Sequence, residues 1–141
     1  MTQEMKQYTG TKTIKAMPIT MGEAYERKLL KKGVKPSECE TYKAGYLVEY
    51  DDGYQSWCPA ETFEKDYKPS ETALDCLRIE YSVLRERFIK LERFLSVGFD
   101  ETAKMVGGKH AALLITQSVF MEKYLEVLAS RIADLGGELN K

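Results

Sequence analysis

The 141-residue chain holds a single histidine, His110, so any histidine-based triad would depend on that one residue. No Gly-x-Ser-x-Gly run precedes it, and a hydrolase of that kind is not expected. Cysteine is scarce as well. Cys39, Cys58 and Cys76 show no spacing suited to zinc, and as an odd number they leave one over for disulfides. They are expected to be reduced thiols, with no metal site among them. Excess charge of either sign is also missing: 21 basic and 22 acidic side chains almost cancel. Residues 1–69 carry eleven of each, and residues 70–141 carry ten basic and eleven acidic. Such a balance builds no field for coating polymeric DNA or RNA, though a local basic pocket for one small anion stays open. No apolar run reaches the length of a membrane span, and Met1-Thr2-Gln3-Glu4 lacks a signal-peptide pattern. The expectation is a cytoplasmic protein. Internal repeats and low-complexity tracts are absent too.

The first half of the chain reads as short strands and turns. Tyr8 to Met17 is rich in Thr and alternates loosely, as a strand closed by Pro18. Thr20 and Glu23 have the spacing of a capping box, predicting a short helix through about Lys31. An exposed loop over Val34 to Lys43 follows. Gly45 to Tyr50 alternates as a strand, Asp51-Asp52-Gly53 signals a tight hairpin, and Tyr54 to Cys58 returns. Pro59 halts the ladder and starts a helical turn holding Phe63 and Tyr67, expected to pack over Trp57. The expected core is Ile14, Tyr46, Leu47, Val48, Trp57 and Phe63.

The second half is dominated by helical periodicity. Leu74, Leu77, Tyr81, Leu84, Phe88, Leu91 and Leu95 recur at alternating steps of three and four, predicting one long helix from a cap at Ser70 to about Val97. At about 1.5 Å per residue it would be roughly 40 Å long. A partner from about His110 to Leu135 carries Leu114, Met121, Leu125, Leu128, Ile132 and Leu135 on a second stripe. Phe120, Tyr124 and Val127 widen that stripe, and Gly136-Gly137 ends it. The fold class is therefore α+β: a small β-rich module over residues 1–68, then a long antiparallel helical hairpin over 69–141. Two helices with apolar residues on several faces make a poor core alone, which predicts self-association into a larger bundle.

No catalytic constellation is present, and an enzyme is not expected. Gly107-Gly108-Lys109 lacks the upstream Gly and following Ser or Thr of a phosphate loop, and reads as a connection between helices. Arg78, Arg85 and Lys90 lie close in sequence to Tyr81 on the first long helix. Arginine suits bidentate phosphate contact and aromatic rings suit stacking on a base. Lys109 and His110, opening the second long helix, add donors where its amides favour anions. The alternative is an ordinary solvated helix face, in which Glu86 and Lys90 form a simple i,i+4 pair.

Two resemblances add to this reading. Thr13 to Pro18, Met21 to Ala24 and above all Gly45 to Pro59, with its Asp-Gly-Tyr-x-Ser-Trp-x-Pro run, resemble a module of small bacteriophage proteins that includes the Thoeris anti-defence sponge, a binder of cyclic ADP-ribose isomers. Met21-Gly22-Glu23-Ala24 stands where that module carries Arg-Gly-Glu-Tyr, and Cys58 replaces the commoner Ser, leaving scaffolding as an alternative role. Arg78 to Tyr81, Lys90-Leu91, Phe94-Leu95, Gln117, Met121, Tyr124, Leu128 and Arg131-Ile132 are similar to the second anti-CBASS family of phage sponges. The resemblance implies a hexamer that holds cyclic di- or trinucleotides between protomers, with no cofactor and no catalysis. The site residues then expected are Arg78, Tyr81, Arg85, Lys90, Lys109 and His110. The competing expectation is a protein-interaction module that forms a helical oligomer with no nucleotide ligand.

Overall fold

The computed structural model describes residues 3–139. It is α+β: three antiparallel strands with two short helices, then three further helices, two of them long. The chain divides into two units, Met1–Tyr67 and Lys68–Lys141.

In the first unit the elements are β1 (Lys15–Thr20), α1 (Met21–Glu26), β2 (Ala44–Glu49), β3 (Gln55–Pro59) and α2 (Ala60–Asp66). The strand order is β1-β2-β3. The first strand lies later than its Thr-rich stretch suggests, and Pro18 is inside it, opposite Tyr46. This is possible because β1 is an edge, where a residue lacking an N–H leaves no ladder bond broken. The shift brings Ile19 into the core and leaves Ile14 ahead of the strand.

Thr20 caps α1 as expected, accepting from the Glu23 amide at 3.2 Å. The helix stops at Glu26 rather than near Lys31. Lys28 adopts φ +60°, its amide bonds the Tyr25 carbonyl, and the Leu29 amide reaches back to the Ala24 carbonyl at 2.9 Å. That pair of bonds is the Schellman closure, which turns the chain so that Leu29 and Leu30 pack on Ile19, Ala24 and Leu47.

The β2–β3 hairpin turns through Asp51, Asp52 and Gly53. The Tyr50 amide bonds the Tyr54 carbonyl at 2.9 Å, and only Gly53 takes a positive φ, +86°. Asp52 stays at negative φ and its carboxylate accepts from the Tyr54 amide instead. Register decides where Trp57 goes. Trp57 pairs with Leu47, and Cys58 pairs with Tyr46. Trp57 therefore shares a face with Ile19, Leu47 and α1, not with α2 as expected, and its indole N–H donates to the Ile19 carbonyl at 3.2 Å. Phe63 lies on the other face, its ring 4.1 Å from Tyr46, with Tyr67 following at 5.2 Å. Gly45 permits this packing, since a Cβ there would meet the Trp57 ring at 2.4 Å.

The second unit contains α3 (Ala73–Leu95), α4 (Phe99–Val106) and α5 (Gly108–Asp134). The cap of α3 is Thr72 rather than Ser70. Its hydroxyl accepts from the Asp75 amide at 3.0 Å, and the Asp75 carboxylate accepts from the Thr72 amide. The expected stripe of α3 is the one that faces α5, and Leu77 is buried with Leu128 and Ile132. The connection between the two long helices, which hydrophobic periodicity does not mark as a helix, is itself an eight-residue helix whose Thr102 is fully buried. On α5 the buried residues include Ala111, Ser118, Met121, Leu125, Leu128 and Ile132, whereas Leu135 caps the helix half exposed. Gly136 takes φ +79° and completes a Schellman closure on Ala133 and Ile132.

Candidate ligand site on the helical hairpin

Polar bridges between α3 and α5 fix the level of each candidate residue. Near the open end of the hairpin, Arg78 Nε donates to the Glu138 carbonyl at 3.1 Å. The Tyr124 hydroxyl donates to the Glu80 carboxylate, and the Ser118 hydroxyl donates to Glu92. These contacts confirm an antiparallel pair, with the end of α3 beside the start of α5.

Arg78, Tyr81 and Arg85 lie within about 60° of one another around α3, so they form one group. Tyr81 is half-buried, its ring packed on the Leu77–Leu128–Ile132 cluster, which leaves one side of it open. Arg85 is exposed. Lys90 follows Tyr81 by nine residues, about half a turn around the helix, and therefore projects from the opposite side. There it pairs with Glu86 at 3.3 Å, both side chains 71% exposed. Lys109 and His110 open α5 and are exposed. Counting rise along α3 to Glu92 and along α5 from Ser118 puts them on the order of 20 Å from Arg85. One hairpin thus brings together Arg78, Tyr81 and Arg85, but not Lys90 and not the Lys109–His110 pair.

A second polar group lies on the other side of the same helix pair. Glu80 and Tyr124 are bonded, and Arg131 is near enough to act on the Tyr124 hydroxyl. The hydrogen bond to Glu80 is the main cause that raises the Tyr124 pKa above the ordinary 10.0, while Arg131 pulls it down. Apolar periodicity gives no hint of this group. The spacing of the three residues in the sequence does not show that they come together.

Beside Tyr124 an apolar strip runs along α5: Leu113 is 55% exposed, Phe120 68% and Val127 55%. Ile115 and Val119 form a second exposed strip on the far side of the buried stripe. Phe120, Tyr124 and Val127 do not widen the intramolecular core; they stand outside it. Among the described residues no cluster of His, Cys, Asp or Glu is arranged to hold a metal ion, and no helix is long and apolar enough to cross a membrane. Burial pushes the Cys58 thiol up, and Cys39 and Cys76 are exposed and free.

No curated protein and no solved structure matches the chain. Residues 71–134, somewhat less than half of it, match the family model described as Sequestin. That span runs from just before the Thr72 cap to the last residue of α5, so the similarity coincides with the three helices that carry these candidate residues.

Proposed function

We propose that this chain is a phage sequestering protein. It binds cyclic nucleotide second messengers of host immunity in the host cytoplasm, holds them without cleavage, and so blocks CBASS-type and Thoeris-type signalling. The supporting observation is the match of the helical unit to the family described as Sequestin, a name that implies binding rather than catalysis. The geometry agrees with a site closed by more than one protomer. A cyclic dinucleotide presents phosphates on its ring and bases at its rim, and needs cations for the first and flat side chains for the second. One hairpin offers Arg78, Arg85 and the open side of Tyr81, which line only one side of such a ring. A neighbouring hairpin laid antiparallel supplies Lys109, His110 or Lys90 from across the gap. The exposed strips of α5 supply the apolar surface for that association, in a homo-oligomer that is a hexamer by resemblance.

Calorimetric titration with cyclic di- and trinucleotides and cyclic ADP-ribose isomers tests the proposal. Saturable binding is expected, and the ligand should be recovered intact after the complex is denatured. Arg85→Ala and Tyr81→Ala should each weaken binding by roughly tenfold or more, the usual effect of losing one charge-assisted or stacking contact. The same apolar strips would also serve a helical oligomer with no nucleotide ligand. If none of these cyclic nucleotides binds, that second reading replaces the first.

A further inference from the structure

The β-rich unit holds a preformed recess that the proposed site on the helices does not use. It lies between α1 and the segment 35–42, has a volume of about 380 Å³, and has Tyr25 and Tyr42 on its walls. Both rings are accessible: Tyr25 is 43% exposed and Tyr42 83%. Backbone contacts hold the two sides together. The Gly22 amide donates to the Thr41 carbonyl and the Met21 amide to the Lys43 carbonyl, both at 2.9 Å. The Thr41 hydroxyl and the Glu40 amide are tied in turn to Ser37. Gly22 is required for this approach, because a Cβ there would lie 2.6 Å from the Thr41 methyl and 2.9 Å from its carbonyl oxygen.

Charge around the recess is unevenly distributed. The segment from Arg27 to Lys35 carries Arg27, Lys28, Lys31, Lys32 and Lys35 and no acidic residue, whereas acidic side chains outnumber basic ones in the rest of the chain. Lys35 lines the recess directly, while Glu23 and Glu26 line its α1 side. Lys31, Lys32 and Lys35 enter no ion pair among the described residues.

We propose that this recess is a second binding site, specific for a single nucleotide unit. Tyr25 and Tyr42 offer aromatic faces to a base, and stacking of that kind tolerates any base. Lys35, within the field of Arg27 to Lys32, takes the phosphate. Glu23 and Glu26 accept hydrogen bonds from ribose hydroxyls or a base amino group, which gives carboxylates a role beside an anionic ligand. The volume falls at the small end of the range for ligand pockets, enough for one nucleotide and not for a ring of two or three. The site lies wholly in the β-rich unit, so loss of cyclic dinucleotide binding from the helical unit leaves it standing.

The test is titration of the full chain with 5′-AMP, adenosine and inorganic phosphate, followed by calorimetry or tyrosine fluorescence. AMP should bind saturably, and adenosine and phosphate should each bind at least about tenfold more weakly. Lys35→Ala should remove the advantage of AMP over adenosine. Tyr42→Ala should weaken both nucleoside ligands by roughly tenfold. Both side chains are exposed, so neither substitution threatens the fold. The proposal is overturned if AMP shows no saturation, if phosphate binds as well as AMP, or if both variants bind AMP like the parent.

Discussion

Single side chains decide several outcomes in this molecule. The Trp57 ring fills the space above Gly45, and its N–H satisfies the Ile19 carbonyl on the edge strand. Trp57→Ala removes both at once. The cost should be about 3 kcal/mol, the low end for a large aromatic because the ring is only partly buried, and urea denaturation measures it. Gly45→Ala should also destabilise, by about 1–3 kcal/mol, because the new methyl meets the indole and the Cys58 carbonyl. Equal stability of both variants and parent would remove the indole from the core. Tyr124 gives a pH prediction. Its folded pKa is raised above the unfolded value, chiefly by the bond it donates to Glu80. The stabilisation from that bond is complete below the ordinary tyrosine pKa of 10.0 and is lost as pH rises through the folded value. Tyr124→Phe should therefore lose less stability than the parent between neutral pH and alkaline pH, as read from melting temperatures.

Element boundaries follow local chemistry that hydrophobic periodicity does not contain. Ser70 and Thr72 are both capping residues, and the choice between them rests on Asp75, which completes a capping box only with Thr72. Thr72→Ala should cost about 1 kcal/mol, and Ser70→Ala much less; the reverse order in chemical denaturation would restore the earlier boundary. The short α1 shows the same dependence. Lys28 is ordinary in sequence, but it adopts the left-handed conformation because the closure lets Leu29 reach the core. The gain from burying Leu29 and Leu30 outweighs the strain of a non-glycine residue there, and it shortens the helix. The Thr-rich stretch ahead of β1 misleads in another way. β-propensity reports fit to a half-buried surface, and residues 8–13 have no such surface to cover.

At the scale of the whole molecule, the issue is what covers the helical unit. Val83, Leu113, Val119, Phe120 and Val127 are all substantially exposed on the two long helices. Apolar strips on two sides of α5 provide more than one contact surface per protomer, which favours assembly beyond a dimer. Light scattering at micromolar concentration should give a mass several times the 16.1 kDa of the chain. Phe120→Asp and Val127→Asp should lower that mass while helicity persists, because neither side chain contributes to the core of its own hairpin. A stable 16.1 kDa monomer would refute both the assembly and the shared site proposed for it.

The two long helices of the second unit, their facing stripes and the β2–β3 hairpin were legible in the residues themselves, because each rests on spacing along a few turns or one tight loop. So were the Thr20 cap and the Gly136 stop, which are local hydrogen-bonding patterns. The face taken by Trp57, the place of Pro18 on an edge, the Glu80–Tyr124 bridge and the wide separation of Arg85 from His110 were not. Each depends on which strand or helix lies alongside at a given level, and that is a property of register between distant segments. Site residues divide the same way: the half turn between Tyr81 and Lys90 follows from helix geometry alone, whereas the distance from Arg85 to His110 follows only from how α3 and α5 lie alongside each other.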